Sequence, residues 1–540
     1  MKIKKTNLFI LFLSALFLLT GCEFERFVND LNSEIFGDDS SSNIAEGEPM
    51  IIPEGYATNA NYAFKFDSVE INKSSTPTTG KNYTTQSNFA FNLRDLRDTQ
   101  DFDDPYTVGE QRILVIPVRF SDYKTVSYCR FIDGGCDKAI SDLDKAFFGD
   151  PSYTGWESVS SFYYKSSYGK LKLSGRVTDW FTIDKTAAQI NSLSSKLYAD
   201  PTYYILRKAV NWYQKTYGDL SYYDQDGDNL VDAVWLVYDR PTLSLSDTIW
   251  WAYTFWDYEN ESSNLKAYTY AWASFEFLYE GQYSKNGIEM ADAHTFIHET
   301  GHILGLDDYY SYNSSNPYAA AGALDMMDYN IGDHNAYSKM LMGWVNPLVV
   351  QDSTTISINP FESSGDCILV RDYSSWNKTP LDEYLLIEFI TPTGLNKKDA
   401  EDGYVGNDLQ HFTVPGIKIY HVDSRIGKFD QYGYLSNYTD SITSGGYSYY
   451  TDIVESNTTT SMTDNTHLLH LIEANKKDTF KNGAPATNAT LFKEGSTFTP
   501  SSYSMFFANG TQFNDGSDIG YNISIDSITS SKATLTFTKI

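Results

Sequence analysis

The sequence predicts an α+β domain followed by an all-β, sandwich-like region. Two observations carry this. Between residues 112 and 304, apolar runs of strand length alternate with helix-period segments. After Trp344-Val-Asn-Pro347 the helical period stops, and short strand-like runs recur between clusters of Gly, Asn, Ser and Asp. A third feature stands ahead of both: a basic segment, a short apolar run and a small-residue stretch ending in cysteine, the pattern of an export signal.

Lys2, Lys4 and Lys5 form the basic segment, and residues 8–19 are an apolar run too short to span a bilayer comfortably. Leu19-Thr20-Gly21-Cys22 resembles the bacterial lipobox, in which the cysteine is acylated and becomes the mature N-terminus. The expectation is a signal peptide over 1–21 and a lipid-anchored, cell-surface protein held to the membrane through Cys22. The alternative is an ordinary signal peptide with an incidental cysteine. Residues 22–105 are rich in linker-like Ser, Thr, Asn and Gly, as in the stretches 37–43 and 72–88. They read as a tether, a pro-segment, or both.

A buried-strand pattern at 112–120 opens the domain expected over 106–347. Helices follow at 140–148, 201–217 and 291–304, and strands at 171–177 and 233–238. In the region expected over 348–540, strand-like runs lie at 355–358, 367–370, 384–389, 416–422, 468–473 and 533–537. A length of 540 residues with 41% apolar residues supports more than one core. The net charge of −29 argues against a nucleic-acid partner, because phosphate binding needs a basic face. Most of that acidic excess reads as solvated surface.

Cys129 and Cys136 flank Asp133-Gly134-Gly135, a turn sequence, and are placed to close a small disulfide in an oxidising compartment. Cys367 is left over and reads as a buried thiol.

His298-Glu299-Thr300-Gly301-His302 lies within the last helical segment. Residues i and i+4 share a helix face, so both imidazoles can bind one metal. Two histidines plus one further ligand leave zinc an open position for water, which marks a catalytic site. Glu299 is placed to take a proton from that water. Gly305 can adopt a left-handed conformation and turn the chain back, so a carboxylate three residues later can reach the metal. Asp308 has that spacing, and Asp307 is its competitor. Of the remaining histidines, His294 reads as a packing residue or a support for the site, and His334, His421, His467 and His470 read as structural.

Asp325-Met326-Met327-Asp328-Tyr329 looks like the methionine turn of metzincins. Together with 112–120, 158–171, 296–308, 332–344, 383–388, 416–423 and 471–475, it makes the chain resemble the immune inhibitor A family of bacterial secreted metallopeptidases. The resemblance spans roughly 110–540. It implies a metzincin-like catalytic domain with zinc on His298, His302 and Asp308, Met327 beneath the ligands, and Tyr329 near the metal or the oxyanion. It implies an endopeptidase acting on extracellular proteins or peptides. The alternative is a surface-anchored binding protein with a vestigial site, against which the intact Glu299 argues.

Asp224, Asp226, Asp228 and Asp232, with the carbonyl of Leu230, follow the first three-quarters of a calcium loop. Asn229 stands at the sharp turn usually made by glycine, and Asn tolerates left-handed φ. Trp235 stands where an EF-hand has its last glutamate, so the loop is not a full EF-hand. A structural calcium ion is expected, against the plainer reading of an acidic surface turn.

Overall fold

The computed structural model describes residues 52–71, 80–85, 106–193, 201–242, 249–257, 266–280, 283–285, 288–312, 317–429, 435–438, 450–452, 457 and 467–540. The signal segment and Cys22 lie outside these residues. The fold is mixed α and β with several sheets. The chain separates into two compact units, one built from 112–143 and 176–276 and the other from 52–111, 144–175 and 277–540.

In the first unit, Leu114–Val118 pairs parallel with Val234–Tyr238, which pairs parallel with Tyr270–Ser274. Tyr253–Trp256 closes that edge antiparallel. All five residues of Val234–Tyr238 are buried, the continuous apolar pattern of a strand covered on both faces. The helix Thr202–Tyr217 lays Leu206, Ala209, Val210 and Tyr213, at i, i+3, i+4 and i+7, into the same core as Leu114, Leu236 and Trp272. It ends at Gly218, whose φ of +95° is open to glycine at little cost.

The second unit contains a six-stranded sheet with the order 83–85, 348–350, 367–370, 383–390, 416–423 and 469–471. A four-stranded antiparallel sheet is formed by 354–358, 533–539, 521–528 and 497–498. Ile368, Leu385, Ile387 and Ile419 of the first sheet share one core with Ile356, Ile523, Leu535 and Phe537 of the second. Each side chain buried there contributes about 1.5–3 kcal/mol by leaving water.

Two features refine the sequence reading. The stretch read as a tether, a pro-segment, or both includes folded segments: Ala57 and Phe64 are fully buried, Phe66 is nearly so, and Tyr83–Thr85 adds an edge strand against Leu348–Val350. A few aromatic residues within polar sequence suffice to dock it. The boundary expected at 347 falls inside the second unit. The reason is polar: the N–H groups of Gly332, Asp333 and Ala336 donate to the side chains of Asp399, Asn396 and Glu388 at 2.7, 3.0 and 2.6 Å. Buried backbone donors need such partners, and these come from beyond residue 347.

A helix not foreseen, Val159–Ser166, is started by a capping box in which Ser158 and Ser161 satisfy each other's N–H groups. The tyrosine hydroxyl of Tyr163 on this helix donates to the carbonyl of Ile297 at 2.8 Å.

Candidate metal centre

The helix His294–Ile303 buries Phe296, Ile297 and Ile303. It stops where expected. Gly305 has φ +103°, its N–H donates to the His302 carbonyl at 3.0 Å, and that of Leu306 donates to the Gly301 carbonyl at 2.9 Å. The chain then turns back and brings Asp308 to the histidine face.

Three ligand atoms converge. His298 Nε2 and His302 Nε2 lie 3.2 Å apart, and Asp308 Oδ1 lies 2.9 and 3.1 Å from them. Asp307 is exposed, whereas Asp308 is buried. His298 Nδ1 donates to the Met326 carbonyl and His302 Nδ1 to the Leu306 carbonyl, each at 2.7 Å. With Nδ1 committed as donor, each Nε2 keeps its lone pair for a cation, the tautomer a metal-binding histidine needs. Two imidazole nitrogens and one carboxylate suit zinc.

The electrostatics agree with that donor set. Burial opposes protonation of His302, but the Asp308 carboxylate outweighs it and pushes the pKa up to about 10. Burial would raise Asp308, yet His302 and His298 hold it well below the usual carboxylate range. A field that concentrates positive charge at this point favours a divalent cation by the same sign.

Glu299 follows His298 on the helix and is 6% exposed. Met327 is fully buried, and its sulfur lies against Gly301 so closely that a Cβ there would come within 2.5 Å of it. Asp325 orders this turn by accepting from the N–H of Met327 at 2.9 Å and of Asn335 at 2.8 Å. Burial pushes the Asp325 pKa up to about 6; burial and then the Asp325 charge push Asp328 up to about 8.

Tyr329 is 42% exposed, and its ring packs 6.0 Å from that of Tyr310. Tyr310 in turn stacks beside His298 at 6.3 Å, and the hydroxyl of Tyr312 donates to Asp308 Oδ2. The hydroxyl on the Asp308 carboxylate is therefore that of Tyr312, while Tyr329 packs against Tyr310. Sequence reasoning missed Tyr310 and Tyr312. The available signal was the run Tyr309-Tyr310-Ser311-Tyr312 directly after Asp308.

In the first unit, Asp224, Asp226 and Asp232 each offer an oxygen within 4.8 Å of one another. Asn229 adopts φ +73°, as its place at the sharp turn requires. Asp228 Oδ1 accepts from the N–H of Leu230 at 2.7 Å, and Leu230 begins a two-residue strand paired with Lys266–Ala267. Burial, with Asp226, Asp224 and Asp228 adding to it, raises the Asp232 pKa to about 7. Cys129 and Cys136 form a disulfide, and Asp239 accepts from the Cys129 N–H at 2.8 Å and from the Ser127 hydroxyl at 2.5 Å. Cys367 is a buried free thiol. Among the described residues no helix is long and apolar enough to cross a membrane. No family model and no curated protein matches the chain.

Proposed function

We propose that the chain is an exported, lipid-anchored zinc metalloendopeptidase of the immune inhibitor A type. In this reading a metzincin-like α+β catalytic part precedes an all-β, sandwich-like region, and Cys22 carries the lipid. The observation that supports it most is the convergence of His298, His302 and Asp308 on one point, with Glu299 buried on the same helix.

Zinc held by those three residues would polarise a scissile carbonyl and acidify a water. Glu299 takes the proton from the attacking water and returns it to the leaving amine. The carbonyls of Met326 and Leu306 hold both imidazoles in the tautomer the reaction needs. Met327 fills the space under the histidine pair. Tyr329, half exposed just past it, is the candidate donor to the oxyanion. The 224–232 loop holds a structural calcium ion in the same reading, through Asp224, Asp226, Asp228, Asp232 and the Leu230 carbonyl. Substrates are extracellular proteins or peptides.

Glu299→Gln tests the mechanism. It preserves shape and removes the base, so zinc content should stay stoichiometric while cleavage of casein or a peptide library falls about 100-fold to 10,000-fold. A variant that holds zinc and still cleaves at the wild-type rate overturns the assignment of Glu299. A wild-type protein that binds zinc and cleaves nothing favours the binding-protein alternative.

A further inference from the structure

We propose that His294 is a positioning residue charged at neutral pH, an imidazolium clamped between the carboxylates of Asp292 and Asp399 that staples the first turn of the metal-site helix to the Lys397–Glu401 segment. Its Nδ1 lies 2.5 Å from Asp292 Oδ1, and its Nε2 lies 3.6 Å from Asp399 Oδ1. A neutral imidazole has one N–H and would turn a lone pair toward one of these carboxylates. Only the doubly protonated ring presents a donor to both.

The ring faces support the same state. Trp156 stacks on one side at 4.2 Å and 13°, and Tyr404 on the other at 4.0 Å and 21°. A cation between two aromatic faces gains from both quadrupoles, most strongly when it is desolvated. His294 and Asp399 are fully buried, and Asp292 is 2% exposed. Buried charges persist only when paired and hydrogen-bonded. The second oxygens are accounted for: Tyr404 donates to Asp292 Oδ2 at 3.1 Å, and the Gly332 N–H donates to Asp399 Oδ2 at 2.7 Å. Burial opposes the ring's charge, but Asp292 and Asp399 outweigh it and hold the pKa up to about 9.

The consequence lies in what Asp399 joins. One oxygen faces the start of the helix that carries His298 one turn later. The other takes a backbone donor from the loop after Met327. The Trp156 indole N–H adds a bond to the Leu395 carbonyl at 3.2 Å. The 395–404 segment therefore braces both the histidine helix and the methionine turn, and residues beyond 347 belong to the framework of the site. This inference goes beyond the peptidase reading, since it needs neither a metal nor cleavage.

Histidine-selective 15N NMR of the full chain tests it. At pH 7.5 one ring should show both nitrogens protonated, and that signal should vanish in His294→Gln. A neutral tautomer for His294 at pH 7.5 overturns the proposal. If His294→Gln does not fold, Asp399→Asn identifies the ring by moving its titration to lower pH; an unmoved titration also overturns it. A double-mutant cycle on melting temperature tests the staple. His294→Gln and Asp399→Asn should each lower the melting point, and the double variant should fall no further than the worse single one. Additive shifts would mean that the two side chains act separately.

Discussion

Gly301 offers a substitution whose sign the structure reverses. In an ordinary helix interior, Gly→Ala stabilises by up to about 1 kcal/mol, because alanine has less backbone entropy to lose. At Gly301 the new Cβ would stand 2.5 Å from Met327 Sδ, 3.1 Å from Met327 Cε and 3.2 Å from the Tyr163 hydroxyl. A thioether is flexible, but Met327 and Tyr163 are fully buried, and the hydroxyl is already bonded to Ile297 at 2.8 Å. Overpacking of this kind costs about 1–3 kcal/mol, which outweighs the propensity gain and leaves a net loss of about 1 kcal/mol. That corresponds to a melting point about 1–2 °C lower in a chain of this size. Met327→Ala destabilises by itself, by about 2–5 kcal/mol, but it also removes the obstacle. On that background Gly301→Ala should therefore stabilise, by up to about 1 kcal/mol. Calorimetry of the four proteins, with zinc content measured alongside, checks the sign. A higher melting point for Gly301→Ala in the otherwise wild-type chain, or the same loss with and without Met327, would show that the two residues do not constrain each other.

Asp308→Ala should lower zinc content, whereas Asp307→Ala, at an exposed position, should leave it nearly unchanged; metal analysis after dialysis decides between them. Calcium should raise the melting point more at pH 8 than at pH 5.5. Asp232 has a folded pKa raised to about 7, so below that pH calcium must displace a proton, and above it calcium relieves repulsion that would otherwise destabilise the fold. Equal shifts at the two pH values would exclude Asp232 as a ligand. For His411, burial and then the Lys418 charge lower the pKa to about 4. The unfolded chain therefore takes up its proton first as pH falls below about 6.5, and stability of up to about 3 kcal/mol is lost between there and pH 4. Denaturant melts of wild type and His411→Asn at pH 7.5 and 4.5 should show a smaller pH dependence in the variant.

The convergence of His298, His302 and Asp308 was legible because its geometry is local. A helix places i and i+4 together, Gly305 reverses the chain, and Asp308 follows at fixed distance, so spacing carried nearly all of the information. The strands at 112–120, 233–238, 384–389 and 416–422 were legible for a similar reason: the observed Gly109–Arg119, Val234–Tyr238, Glu383–Ile390 and Gly416–Asp423 are long and mostly or wholly buried. The helix Val159–Ser166 escaped because its buried face includes Ser160, Ser161 and Ser166, which read as surface by composition. Its capping serines were the one local signal. Asp399 escaped because its meaning depends on contacts far along the chain, which no period records, and Tyr312 escaped because it meets Asp308 across an irregular segment to which no helix or strand period applies.

The same blindness to buried polar groups affects how the net charge is read. Part of the −29 lies inside the protein: Asp239, Asp292, Asp308, Asp325, Asp328, Asp399, Glu383 and Glu388 are all buried. Most of them have specific duties. Asp239 orders the disulfide turn, Asp325 the methionine turn and Asp399 the His294 staple. Glu383 meets His421 at 2.8 Å, and Glu388 meets Lys418 at 2.7 Å. Burying a carboxylate is costly unless donors or cations surround it, so each needs such a setting. Two places stand apart. Asp308 faces two imidazoles whose remaining ring nitrogens are already committed to carbonyls, and Asp232 faces three other aspartates. At the first a proton substitutes for a cation by raising His302, and at the second by raising Asp232 itself. A metal ion at either position would therefore have to compete with a proton. A metal-loaded protein should therefore release protons as it binds zinc or calcium, and fewer should be released by calcium at pH 8 than at pH 6.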